Sequence, residues 1–252
     1  MFFDYARAEF RYLPFPIGIV RPAVPDDRYR EFVANFPPLE LFESFEAMGK
    51  QGRKLTLSAK ENARRYHDFV HGNAVWREFR RWIESRDFVY GALHMLAEHG
   101  IDLGYRYVPL AKRWARRAKR LVFGRRLPSY VPLSARFEFS ALPADGGNLP
   151  PHTDAPTKLV TMIVSIQNDG EWDGAFGGGT DVNVAKDDTR SFNQVNRMAG
   201  FDEMEVVHTY PFLPNQCIVF VKTFNSWHSV APMHGPPGRW RRTLTINIET
   251  LV

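Results

Sequence analysis

Two hydrophobic periodicities divide the chain. Up to about residue 130, apolar positions recur at helical spacing. DDRYREFVANF sets Tyr29, Phe32, Val33 and Phe36 on one face, and its opening acids predict a helix capped at Asp26 or Asp27. Residues 73–99 carry Val75, Trp76, Phe79 and Trp82, then Phe88, Leu93 and Leu96, at periods near 3.6, with Gly100 as the stop. Beyond residue 130 the pattern changes to alternation and short β-branched runs: RFEFS, KLVTMIVSI, GTDVNV, EMEVVHTY, QCIVFV and RRTLTINIE. Turn formers fill the gaps, in PADGGNLPP, QNDGEWDGAFGGG, PFLPN and MHGPPG. Successive strands without intervening helices predict an antiparallel sandwich or jelly roll, not an alternating parallel α/β fold. The expected fold is mainly β with added α, an N-terminal helical layer packed on a C-terminal β-sandwich. One domain is expected over 1–252, with 1–130 mostly helical and 131–252 forming the β core.

Composition narrows the class without changing this picture. At 252 residues, with 44% hydrophobic, 14% aromatic and 24% charged residues, the chain can bury a sizeable core and is not a disordered composition. No run approaches the ~20 uncharged apolar residues of a membrane span. The N-terminal stretch carries Asp4 and Glu9 and no continuous apolar core, so it does not read as a secretory signal. A single cysteine excludes an intramolecular disulfide, and Cys217 within NQCIVFV reads as a small buried hydrophobe. A cytoplasmic protein is expected.

Charge adds one local feature. The balance is basic, 33 Lys plus Arg against 28 Asp plus Glu. Much of the excess lies in residues 106–126, which contain no acid. As a helix over 110–122 this stretch would gather Leu110, Trp114, Ala118 and Leu121 on one side, with Lys112, Arg113, Arg116, Lys119 and Arg120 over the rest. A solvated face is one reading. Contact with an anionic surface or substrate, such as a glycan, a lipid-linked sugar or an acidic metabolite, is the other. No nucleic-acid motif accompanies the charge, so no nucleic-acid partner is expected.

The chemistry is carried by NLPPHTDAPTKLVTMIVSI. His152 and Asp154 stand at i and i+2, so extended backbone would send both side chains from one face. A neutral imidazole and a carboxylate so placed can take neighbouring positions on one metal ion. His208, His228 and His234 lie downstream, and His228, after the apolar run QCIVFV, is the best placed third ligand. Two histidines and one carboxylate leave three octahedral positions open, which suits a non-heme iron(II) that binds a co-substrate and oxygen together. A catalytic zinc would need a nearby base, and no HExxH-like helix supplies one. Thirteen residues after His228 begins RRTLTINIE, in which Arg241, Thr243, Thr245 and Asn247 would share one strand face, and Arg242, Leu244, Ile246 and Ile248 the other. A guanidinium facing a sandwich interior needs an anion, and a dicarboxylate ligand supplies one. Arg241 is preferred over Arg242 for that role, with Thr243 adding a hydroxyl.

HTD at 152–154, a lone His at 228 and Arg-x-Thr at 241–243 resemble the iron(II)/2-oxoglutarate-dependent oxygenase superfamily, with its HxD…H facial triad and Arg-x-Ser/Thr clamp. The resemblance covers about residues 135–250 and extends more weakly to PFPIGIVRPAVPDDRYREFVANFP. It implies a double-stranded β-helix (jelly roll), Fe(II) held by His152, Asp154 and His228, and 2-oxoglutarate held through Arg241 and Thr243. It further implies O2 as co-substrate and a dioxygenase that hydroxylates its substrate, for which the basic stretch suggests a small-molecule or glycan-type molecule. The halogenating branch replaces the acid by a small residue, so Asp154 argues for hydroxylation. Gly177–Gly179 resembles the glycine turn preceding a core strand in these enzymes, and without a lysine it has no phosphate-binding role. Arg136, Glu138 and Trp227 are candidate substrate contacts, and Lys158 reads as a surface strand residue. The loop over 186–200 is long enough to cover a pocket. Two alternatives stand beside this reading: a non-catalytic cupin-like protein docking on an anionic surface, and a zinc hydrolase on the same scaffold.

Overall fold

The computed structural model describes residues 2–106 and 132–250. The predicted basic stretch therefore lies outside the described residues except for Arg106, which pairs with Asp102 at 2.5 Å. No helix among the described residues is long and apolar enough to cross a membrane.

In chain order the strands are β1 (Glu9–Arg11), β2 (Ile17–Val20), β3 (Glu43–Ser44), β4 (Leu55–Ser58), β5 (Leu133–Pro143), β6 (Leu149–His152), β7 (Lys158–Ser165), β8 (Thr180–Ala185), β9 (Met204–Tyr210), β10 (Cys217–Val221), β11 (His228–Val230) and β12 (Trp240–Thr250). The helices are α1 (Asp26–Ala34), α2 (Ala63–Gly72), α3 (Ala74–Ile83) and α4 (Arg86–Glu98). A major sheet runs in the order β1-β2-β10-β7-β12-β5-β4-β3, and a minor sheet in the order β6-β11-β8-β9. Their strands pair antiparallel, as the jelly-roll expectation requires.

Alternation along the central strands sorts residues between two environments. On β5, Phe137 and Phe139 point to the helical layer, where they meet Trp76, Phe79 and Tyr66. On β12, Leu244, Ile246 and Ile248 join the same core. On β7 and β10 the residues of that face are Val160, Met162, Val164, Cys217 and Val219. The opposite faces of β5, β7 and β12 turn towards the minor sheet and are polar where they line a cavity. Nearer β2 and β10 that interior is closed by Phe15, Ile17, Ile218 and Phe220 against Val182 and Tyr210 of the minor sheet.

The helical layer departs from the sequence reading in three places. Pro25, not an acid, occupies the N-cap of α1, and Asp26 and Asp27 fall in its first turn, where they complement the helix dipole. The segment 73–99 is two helices. Asn73 caps the first through Oδ1, and Ser85 caps the second by accepting from the Phe88 N–H at 3.2 Å. Helix α2 falls outside the two stretches read as helical from the sequence, and it packs Tyr66, Phe69 and Val70 onto the core. Gly100 ends α4 at φ +74°, as a helix stop should.

Candidate active site

A cavity of about 550 Å³, counting its open mouth, lies between the two sheets. His152 closes β6 and His228 opens β11, and the two are direct partners across the minor sheet. Their rings stand 4.3 Å apart. Ligand atoms of His152, Asp154 and His228 all lie within 4.8 Å of one another, a grouping able to hold a metal ion.

Each histidine is oriented by the backbone two residues before it. Nδ1 of His152 lies 2.9 Å from the Pro150 carbonyl, and Nδ1 of His228 lies 2.9 Å from the Ser226 carbonyl. A carbonyl only accepts, so both Nδ1 atoms carry the proton and both Nε2 lone pairs are free for a metal. Burial pushes the His152 imidazole down to about 3, helped by its proximity to His228, and burial lowers His228 as well. Both rings are therefore neutral at pH 7, the form that ligates.

Asp154 reaches the group by a different route from the one its spacing suggested. Strand β6 ends at His152, and Asp154 adopts φ +70°, outside extended backbone. The chain turns sharply there, and Asp is one of the few residues that tolerates this region. Its carboxylate is held at both oxygens. Lys158 Nζ donates to Oδ1 at 2.7 Å, and the Thr161 hydroxyl donates to Oδ2 at 2.8 Å. The hydroxyl also lies 3.2 Å from Asn247 Oδ1, but its one proton is committed to the shorter bond to Asp154. Burial would raise the Asp154 carboxyl, but Lys158 together with His228 and His152 outweighs it and holds the group ionised, below the usual carboxylate range.

Lys158 is thus not a surface residue. Its side chain is 11% exposed and lines the cavity. A register shift explains why: Ile248 of β12 faces Val160, but Glu249 faces Lys158, so β7 spends one extra residue against β12. Such a bulge switches strand parity. It leaves Leu159 on the helical core and re-aims Lys158 inward. Nothing within KLVTMIVSI signals the bulge, because it is a property of the pairing.

Adjacent residues on β12 part company. Arg241 is 5% exposed and lines the cavity together with Thr243 and Thr245. Its Nε donates to the Gly178 carbonyl at 2.5 Å, its Nη2 approaches Thr180 Oγ1 at 3.3 Å, and its guanidinium lies 4.7 Å above the Phe212 ring. No carboxylate among the described residues comes within ion-pair distance of it. Burial lowers its pKa to about 10, so it remains a cation at neutral pH. Arg242 points the other way, to Glu171 at 2.7 Å and the Phe36 ring. Gly177 and Gly178 both adopt positive φ, and a Cβ on Gly178 would stand 3.3 Å from Arg241 Cδ.

The remaining candidates separate. Glu138 lines the cavity, paired with Lys54 at 3.3 Å and Arg136 at 3.0 Å. Burial would raise its carboxyl, but the cations around it bring it down to about 2. Arg136 instead bridges Glu138 and Glu249 and does not line the cavity. Trp227 is buried beside His228 with its indole N–H on the Ser191 carbonyl, away from the cavity lining. That bond is one of several that stitch the 186–200 loop to the ligand strand. Thr153 donates to the Asn193 carbonyl and Ala199 N–H to the Pro151 carbonyl. His208 and His234 lie outside the metal-capable group.

No protein-family profile matches the sequence, and no curated protein does. Solved structures do match in fold. The non-heme α-ketoglutarate-dependent epimerase SnoN from nogalamycin biosynthesis superimposes with a TM-score of 0.52 at 13% identity, over 97% of this chain and 77% of that one. A Pseudomonas putida prolyl-4-hydroxylase gives 0.49 at 14% identity over 94% and 93% of the two chains. A Trichoplax adhaerens prolyl hydroxylase gives 0.48 at 10% identity over 92% and 83%. The two antiparallel sheets, with helices on the outer face of the larger one, are the jelly-roll architecture that this chain shares with the α-ketoglutarate-dependent epimerase.

Proposed function

We propose that the chain is an iron(II)- and 2-oxoglutarate-dependent dioxygenase that hydroxylates a C–H bond of its substrate. One observation carries the reading. A single cavity presents a two-histidine, one-carboxylate group and a buried guanidinium with no carboxylate partner among the described residues. Asp181 acts on this guanidinium only through space, beyond ion-pair distance, and a buried cation so weakly compensated is costly, so Arg241 points to an anionic ligand. A dicarboxylate that chelates the metal at one end and meets Arg241 and Thr243 at the other satisfies both features at once.

The donor set fits the metal. Two neutral Nε2 lone pairs and one ionised carboxylate oxygen converge, and three coordination positions are left for exogenous ligands. When bound, iron(II) supplies the redox chemistry, in which 2-oxoglutarate, O2 and R–H become succinate, CO2 and R–OH. The protein does the rest. Pro150 and Ser226 carbonyls fix the imidazole tautomers, Thr161 orients the carboxylate, and Arg241, braced by Gly178, aligns the co-substrate. Lys54, Glu138 and Lys158 line the same cavity and are the polar groups available to a substrate.

The test is anaerobic. Iron(II) followed by 2-oxoglutarate should give a visible charge-transfer band. The band should vanish in His228→Ala and need far more 2-oxoglutarate in Arg241→Ala. A folded wild-type protein that gives no band would sink the proposal.

A further inference from the structure

Lys158 occupies a position that the proposed chemistry does not require. Its ammonium donates at 2.7 Å to Asp154 Oδ1, and that same oxygen is the one that faces His152 Nε2, at 3.8 Å. The other oxygen is already engaged by Thr161. Oδ1 is therefore the atom Asp154 has to offer to a metal, and a lysine on its own chain holds it.

We propose that Lys158 is a tethered cation that competes with the metal for Asp154 Oδ1, and that metal binding displaces it towards Glu138. The inference rests on the metal-site reading above. A dication on Oδ1 and an ammonium at hydrogen-bond distance from the same atom repel strongly in a cavity of low dielectric. One of them must yield, and the lysine has a flexible four-carbon stem on which to move. Glu138 lines the same cavity, and its carboxylate feels the Lys158 charge, whereas Glu249, opposite Lys158 on β12, is already engaged by Arg136. Glu138 accepts from Lys54 Nζ and from Arg136 through different oxygens, so lone pairs remain for a further donor. The exchange spares the protein a buried unpaired carboxylate when no metal is present, and it lowers the affinity of the site in return. It also lets loading move a positive charge onto the substrate side of the cavity.

Equilibrium dialysis against Mn(II) and Fe(II), without co-substrate, tests this. Lys158→Met should bind metal at least tenfold more tightly than the wild type. Lys158→Gln, which keeps a donor but not the charge, should do the same and guards against poor folding of the first variant. Glu138→Gln should weaken metal binding in the wild type, where it removes the lysine's second seat, and have much less effect in the Lys158→Met background. Metal affinity unchanged or lowered in both Lys158 variants, with His228→Ala still abolishing binding, would overturn the inference and leave the metal site standing. Binding insensitive to His228→Ala throughout would overturn both.

Discussion

Arg241 and Arg242 are consecutive in sequence, yet their guanidinium groups end on opposite faces of the major sheet. The first is buried in the cavity over Phe212, the second is part-buried outside it against Glu171. Strand pleating alone does this, and it makes the pair a controlled comparison. Arg241→Ala should weaken 2-oxoglutarate binding by at least about thirtyfold, the lower end of the effect of truncating a buried charge partner. Arg242→Ala should change it by less than about threefold, since its part-buried ion pair with Glu171 lies outside the cavity and a single such pair contributes little. Titration of the anaerobic iron protein with 2-oxoglutarate measures both, and equal losses in the two variants would refute the assignment.

Gly178 braces Arg241 through its carbonyl and sits at φ +82°. Gly178→Ala adds a Cβ 2.9 Å from Met233 Sδ and imposes a left-handed conformation that costs about 1–2 kcal/mol. Affinity for 2-oxoglutarate should fall about tenfold, with metal affinity unchanged. A parallel loss of metal affinity would mean that the glycine serves the whole sandwich and not the clamp.

Thr161 fixes Asp154 Oδ2 from beneath the ligand group. Thr161→Val preserves shape and removes the donor. Partners of this kind typically change metal affinity by about 10–100-fold. Dialysis against Mn(II) should show a loss in that range, and a wild-type affinity would show that Asp154 needs no such support.

Acid should destabilise the metal-free protein early. The His152 pKa is lowered from its ordinary 6.5 to about 3 by burial, so in this window the unfolded chain binds a proton that the folded chain does not. Stability is then fully present above pH 6.5 and declines by about 1.4 kcal/mol per pH unit as the pH falls from 6.5 towards 3. His228 is shifted the same way and adds to the slope, and Asp154, also lowered, adds its own loss below the usual carboxylate range. Urea unfolding at pH 7, 6 and 5 reads this directly. A flat profile would show that the imidazoles are not held neutral.

Much of the site was legible because metal ligation restricts residue types and because the strand period fixes faces. His152, Asp154 and His228, with Arg241, Thr243 and Thr245 of β12, could be written down from residue type and spacing, and these six line one cavity. The parts that sequence missed depend on pairing. Lys158 is turned inward by a bulge that exists only in the register of β7 against β12. Strand β6 was obscured by Pro150 and Pro151, which an edge strand of the minor sheet can carry because one side of its backbone is unpaired. The turn at Asp154 breaks the same-face argument, while the residue still reaches the group by another path.

The two histidines each donate their Nδ1–H to the carbonyl two residues earlier in the chain. Each ligand therefore travels as a short cassette that already contains its own alignment and protonation state. Substitutions elsewhere in the scaffold can reshape the cavity without scrambling the tautomers. Under the proposed function, the rest of the cavity lining, Lys54 and Glu138 included, is free to change with the substrate while the imidazole pair keeps its alignment.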